Sequence, residues 1–189
     1  MATKTGRVAE ASVESSASAV DWGAIVGGGL AAVGISIIMF TLGPAIGLSA
    51  APYGFNFAAD TPTTFAIGAG IWMIVTQWLA SGLGGYLTGR MRTKWVGIRT
   101  DEVFFRDTAH GFLAWALGTV LVAALVALSS AAGGAAAVTA GAEGVSTEAA
   151  EQARQAAMSF GFFTSLSLLI GAFIGAVAGA IGGYHRDAD

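Results

Sequence analysis

The sequence predicts an all-α fold: an integral membrane bundle of four helices, arranged as two helical hairpins that look duplicated. Three observations carry the prediction. Long uncharged apolar segments recur along the chain, charges gather in the short stretches between them, and the second and fourth segments end on the same glycine-tyrosine motif. With 54% hydrophobic residues, 11% charged residues and a mean hydropathy of +0.69, the 189-residue chain lies far from the ~25% charge of soluble domains.

Residues 1–20, MATKTGRVAEASVESSASAV, are polar and lack the apolar core of a signal peptide, which marks a mobile cytoplasmic tail ahead of a transmembrane domain over 21–189. No charge lies between Asp21 and Asp60, and a first span is expected at 22–50, longer than the ~20 residues that cross a bilayer core. Pro44 lacks a backbone donor and crowds the carbonyl four residues back, which predicts a kink or an early end there. The turn-rich APYGFNFAADTPTT returns the chain into a second span at 64–88. A basic loop, 89–107, precedes the third span at 108–132, and a flexible connector, AAGGAAAVTAGAEG, precedes the fourth at 158–184. Ser146 or Thr147, followed by Glu148 and a run of alanines, reads as an N-capped extension of that fourth helix.

Lys4, Arg7, Arg90, Arg92, Lys94, Arg99, Arg106 and Arg186 fall on one side of four spans, and only Arg154 on the other. Basic residues in short flanks resist translocation, so both termini and the central loop are expected in the cytoplasm. Within that loop, Trp95, Val96, Ile98, Val103, Phe104 and Phe105 alternate with charges, as in a segment lying on the membrane surface. Thr100 or Asp101 is suited to cap a helix start, and Glu102 and Arg106 stand four apart as a helical ion pair prefers. Arg90, Arg92, Lys94 and Arg99 are candidate contacts for anionic lipid headgroups, worth about 1 kcal/mol each near the surface; fixing topology would explain them equally well.

The ends of spans two and four align Ala80, Gly84, Gly85 and Tyr86 with Ala178, Gly182, Gly183 and Tyr184, 98 residues apart. Trp22-Gly23 and His110-Gly111 repeat more weakly at 88. Two parallel hairpin copies would produce both repeats, with chance recurrence in a glycine-rich chain as the alternative.

Gly171, Gly175, Gly179 and Gly183 recur every fourth residue, a stripe that drifts about 40° per step around a helix. Lipid tails leave little to gain from apolar burial, so close contact across small residues holds such helices together. Gly23 with Gly27 and Gly85 with Gly89 extend the pattern to helices one and two. So many small faces predict a homo-oligomer, with packing inside one chain as the other possibility.

Gln77, a primary amide in mid-span, is expected to seek a partner across helices, whereas scattered hydroxyls bond back to their own helix. Apart from His110 near the cytoplasmic start of the third span, no acid, base or ion pair lies within the expected spans, which argues against a proton-coupled transporter or pump. Asp107 and His110 form a candidate interfacial pair, either an anchor with local hydrogen bonds or a proton shuttle. The chain has no cysteine, no phosphate-binding loop, no GxSxG, no HExxH and no His/Glu metal spacing. Neither a cofactor, a metal nor a nucleic-acid partner is expected.

The stretches ASGLGGYLTGRMRTKWVG and TDEVFFRDTAHGFLAWALGT resemble small four-helix inner-membrane proteins of alphaproteobacteria, a family often labelled PhnA-like, over about residues 20–130. The segment GAFIGAVAGAIGGY is similar to the glycine-zipper stretches of bacterial envelope proteins. The resemblance implies a multi-pass protein of the bacterial inner membrane and no particular activity. The expected function is a non-catalytic structural or interaction protein that self-associates through glycine faces, as an accessory subunit or lipid-interacting scaffold with an unidentified membrane-protein partner. An oligomeric channel or facilitator for a small uncharged solute comes second, and an envelope enzyme using Asp107 and His110 third.

Overall fold

A computed structural model describes residues 19–45, 62–95, 97, 99–139 and 147–188, and these contain four α-helices and no strand. The helices are α1 (Trp22–Ala45), α2 (Pro62–Met91), α3 (Thr100–Thr139) and α4 (Thr147–Ala188). Segments within three of them, Trp22–Gly43, Thr100–Ser129 and Gly161–Ala188, are long and apolar enough to cross a membrane. Large apolar side chains point outward from all four, among them Leu30, Ile37, Trp78, Val120, Leu128, Leu169 and Phe173. An all-α membrane bundle results, with lipid as the natural solvent of its outer faces.

The helix starts at Thr100 and Thr147 agree with the expected caps, whereas the end of α3 departs from expectation. α3 starts inside the basic loop at Thr100, with Asp101 and Glu102 in its first turn, and continues without a break into the expected span. It also absorbs most of the connector foreseen as flexible, running to Thr139. Alanine is the strongest helix former, and five alanines in AAGGAAA outweigh the glycine pair. α4 forms one helix from Thr147, as the expected extension of the fourth span implies. Pro44 sits in the last turn of α1. The tail over 1–18, the return segment over 46–61 and the connector over 140–146 lie outside the described residues.

The two hairpins lie side by side. α1 packs antiparallel to α2, and α3 antiparallel to α4, while α2 runs parallel to α4 and α1 parallel to α3. The α2–α4 contact is the most extensive, and α1 and α4 occupy opposite corners without packing together.

Glycines decide how near the helices come at the end of the bundle that holds the α2–α3 loop. A methyl on Gly85 would overlap the Gly175 carbonyl, one on Gly89 the Gly179 carbonyl, and one on Gly182 the Tyr86 carbonyl. The same α4 stripe also receives α3: a methyl on Gly179 would lie 2.6 Å from the Asp107 carbonyl and 2.8 Å from Gly111 Cα. α1 joins through Gly28, against Thr88 and Gly84 of α2, and Gly29, against Ala114 and Leu117 of α3. Toward the opposite end, bulky residues separate the helices. Trp72 of α2 reaches α1, where its Nε1 donates to the Met39 carbonyl at 3.0 Å, and Phe163 of α4 fills the space beside Gly70.

The duplicated motif is therefore not used twice in the same way. Gly84 meets α1 and Gly85 meets α4, whereas their counterparts Gly182 and Gly183 meet α2 and α3. Side-by-side hairpins give the second and fourth helices different neighbours, so equal sequence faces unequal surroundings.

Candidate functional site

Two arrangements stand out, a charged clamp at the glycine-tight end and a cleft in the wider half. The clamp starts from residues that the sequence scatters over three flanks. Asp107 of α3 accepts from Arg92 Nε at 2.7 Å and also faces Arg92 Nη2. Arg186, in the last turns of α4, reaches the same carboxylate at 3.3 Å and donates to the Gly89 carbonyl at 3.0 Å. Asp187 completes the set at 2.9 Å from Arg186. The side chains of Arg92, Asp107 and Arg186 are 0%, 3% and 9% exposed, so two cations and one anion are buried together, with Asp187 at the rim. Burial pushes the Arg92 guanidinium below the usual arginine range, and the Asp107 carboxylate opposes that shift. It stays charged at any physiological pH. Trp95 lies between two guanidiniums, 5.1 Å from Arg92 and 4.5 Å from Arg106, where its ring face attracts cations.

A second tie enters from the start of α1. Asp21 is the N-cap of that helix: its Oδ1 accepts from the Ala24 amide at 3.1 Å. Its Oδ2 accepts from both the amide and the hydroxyl of Thr93, each at 3.2 Å. The Asp21 amide in turn donates to His110 Nε2 at 2.8 Å, and His110 Nδ1 bonds the Arg106 carbonyl at 2.6 Å. That carbonyl has no proton to give, so the ring is the neutral Nδ1–H tautomer with both nitrogens occupied.

Burial raises the Asp21 pKa, but the amides of Ala24 and Thr93 and the Thr93 hydroxyl outweigh it and hold the carboxyl below its ordinary value of 3.8. Its contribution to stability is complete above that ordinary value and fades as pH falls through the lowered folded value. Asp21→Ala is expected to cost about 2 kcal/mol at neutral pH by loss of the cap and its loop bonds. The measurement is thermal unfolding in detergent at pH 7 and repeated at pH 3; a penalty unchanged on acidification would show that the carboxylate is not its source.

The cleft lies between the wider halves of all four helices and has a volume of about 620 Å³. Phe40, Trp72, Met73, Val122, Val126 and Leu168 supply most of its wall. Thr76, Gln77, Ser81 and Trp115 are among its lining residues. Built onto Gly171, a methyl would lie 2.8 Å from Trp115 Nε1, 2.9 Å from Ser81 Oγ and 3.3 Å from the Gln77 amide carbon. Trp115 of α3 and Ser81 and Gln77 of α2 therefore pack directly against the Gly171 backbone, in space that any larger side chain would need. Trp115 Nε1 and Thr76 Oγ1 are buried without a hydrogen-bond partner, and Thr76 is only 3% exposed.

The residues singled out from sequence are distributed as follows. Gly85, Gly89, Gly171, Gly175, Gly179 and Gly183 lie at helix contacts within the chain. Gly27 meets only the flexible end of Met91, and Gly23 is exposed, with Asp21 its sole neighbour. The close contacts of α1 fall instead on Gly28 and Gly29, because α1 sits between α2 and α3 and needs two adjacent faces. Arg92, expected at lipid headgroups, is buried in the clamp. Lys94 donates to the Asp187 carbonyl at 3.2 Å, Arg99 is an exposed partner of Asp101, and Arg90 is half-buried. Glu102 and Arg106 pair at 2.7 Å as their spacing implies.

Asp107 and His110 are not hydrogen-bonded to each other. Both are buried, and each bonds to different neighbours. Gln77 does not reach across helices for a hydrogen bond; its oxygen accepts at 3.5 Å from Ser81, four residues on. Most hydroxyls bond back to their own helix, but Ser167 crosses from α4 to the Met73 carbonyl of α2 at 3.2 Å. Sequence reasoning missed Asp21, although an acidic residue directly before an apolar helix is the usual N-cap signal. It also missed Trp115 and Thr76, whose significance depends on facing a cleft.

No family model matches the chain, and no curated protein and no solved structure is significantly similar to it.

Proposed function

We propose that the chain is a four-span protein of the bacterial inner membrane, with its termini and basic loop in the cytoplasm, that acts by binding and not by catalysis. In this reading α2 crosses the bilayer alongside α1 and α4, since it packs in register with both. The observation that carries it is the asymmetry of the bundle: one end clamped by buried charge and backbone contact, the other open around an apolar cleft. Hydroxyls, an indole and a carboxamide line that cleft, groups suited to holding a neutral molecule and poor at acid-base or nucleophilic work near pH 7.

Such a protein serves as an accessory or lipid-interacting subunit. Lys94 and Arg99 are the loop cations placed to meet anionic headgroups. Because the α4 glycine stripe faces α2 and α3 of its own chain, any homo-oligomer or membrane-protein partner would meet the bulky outward faces instead. The cleft also favours a facilitator for small uncharged solutes, but a through-path would have to open the Arg92–Asp107–Arg186 cluster.

Labelling and flux test this reading. The chain has no cysteine, so single cysteines report topology cleanly. Asn56→Cys and Glu151→Cys are expected to react with an impermeant maleimide in intact cells, and Arg99→Cys only after lysis. Proteoliposomes should pass no more glycerol than empty vesicles. Reaction of all three sites from one side, or glycerol flux above background, would overturn the reading.

A further inference from the structure

We propose that His110 is a pH-sensitive latch: its neutral ring holds the start of α1 against α3, and protonation of the ring releases it. The ring is 2% exposed, and both of its nitrogens are in use. Nδ1 donates to the Arg106 carbonyl at 2.6 Å, one turn back on the same helix, and Nε2 accepts from the Asp21 amide at 2.8 Å, across to α1. A backbone amide can only donate. Protonation places a second N–H on Nε2, so the tie to α1 would set donor against donor and cannot persist. The imidazolium then needs an acceptor, and the Asp21 carboxylate is the anion on the same residue. That carboxylate is already engaged, by the Ala24 amide at 3.1 Å and by the Thr93 amide and hydroxyl at 3.2 Å. Turning it toward the ring gives up the cap of α1 and its bonds to the basic loop, so one proton loosens both ties.

The charges around the ring decide which group can answer its proton. Asp21 ahead of α1, Arg92 of α2 and Asp107 of α3 act on it. Asp107 is shared between Arg92 and Arg186 of α4, which commits it to the clamp, and Arg106 is paired with Glu102 at 2.7 Å. Asp21 is the anion left to respond. The chain has one other histidine, His185, which is exposed and lies 3.4 Å from the Tyr86 hydroxyl. A free imidazole titrates near about 6.5 and carboxylates near about 4, so the interval from pH 7.5 to 5.5 isolates the histidines. If the closed latch excludes the second proton and the open one accepts it freely, opening becomes about tenfold more favourable over that interval. The latch stands at the end that carries the basic loop. That it reads cytoplasmic pH rests on the proposed topology, which the cysteine labelling tests separately.

Hydrogen exchange of the full chain in nanodiscs tests the latch. Rates are measured at pH 7.5 and 5.5, and each is divided by the intrinsic amide rate at that pH, which leaves the opening equilibrium. The first turn of α1, including the Asp21 and Ala24 amides, is expected to open about tenfold more at pH 5.5, while amides around Gly85 and Gly175 stay unchanged. His110→Gln supplies an oxygen that accepts an amide proton and does not titrate, so the turn should stay closed at both pH values. His110→Ala offers no acceptor and should leave it open at both. His185→Gln alters only the exposed histidine and should keep the full wild-type response, a check that does not depend on the folding of the His110 variants. Equal protection of the wild-type turn at the two pH values, a response that survives in His110→Gln or is lost in His185→Gln, or a uniform loosening of all four helices would overturn the assignment.

Discussion

Asp107→Ala is expected to destabilise the bundle by about 3–5 kcal/mol, the largest effect of any single polar substitution in the clamp. The carboxylate is the shared partner of Arg92 and Arg186, whose side chains are 0% and 9% exposed. Its removal leaves two buried guanidiniums facing each other, with only the rim carboxylate of Asp187 to offset them. Thermal and SDS-induced unfolding in detergent would measure the loss. Asp187→Ala, which removes a 35% exposed side chain, should cost less than about 1 kcal/mol.

A double replacement separates charge burial from packing. Arg92→Met with Asp107→Leu removes the buried pair and fills its space, and buried pairs replaced in this way are often close to neutral. The double variant should therefore lie well above Asp107→Ala in stability. An Asp107→Ala protein within about 0.5 kcal/mol of wild type would mean that the cluster is hydrated and does not clamp the helices.

Gly85→Ala and Gly179→Ala are each expected to cost about 1–3 kcal/mol, because one methyl forces two helix backbones apart and no side chain is available to yield. On Gly85 that methyl meets the Gly175 carbonyl; on Gly179 it meets the Asp107 carbonyl and Gly111 Cα. Gly34 and Gly161 provide the control, since neither has any atom within 4 Å of the added carbon. Alanine there should be neutral or stabilising by up to about 1 kcal/mol, through helix propensity alone. Similar midpoints for all four variants would refute the close-contact role. The comparison also separates glycines at contacts from glycines in open lipid-facing positions, which composition alone treats as equal.

Much of this architecture is legible in one dimension because its causes are local or additive. Apolar run length reports the thickness of the medium a helix must cross, so apolar segments beginning at Trp22, within α3 and within α4 were readable, although the one in α3 starts at Thr100, ahead of the expected 108. Charge spacing reports contacts on the same helix, as with Glu102 and Arg106 at 2.7 Å. Boundaries were harder where the competing signals were small. The glycine pair in the connector looked like a break, yet α3 continues to Thr139, because helix hydrogen bonding is cooperative once a nucleus exists.

The site belongs to a different order of information. Arg92, Asp107 and Arg186 lie in three separate flanks, and nothing in their spacing says that they share one buried carboxylate. Asp21 and His110, 89 positions apart, become a capping tie only because α1 and α3 run parallel. Trp115 and Thr76 are unremarkable in sequence, and their buried, unpartnered donors exist only because of how the four helices pack around them. A sequence of this composition determines that the chain is helical, that it partitions into lipid and which ends carry the positive charge, since each follows from sums over neighbouring residues. Which glycines touch, which charges are buried and where a donor is left unmatched were decided by the packing of four helices. Those properties depend on distances between residues that the chain itself keeps far apart.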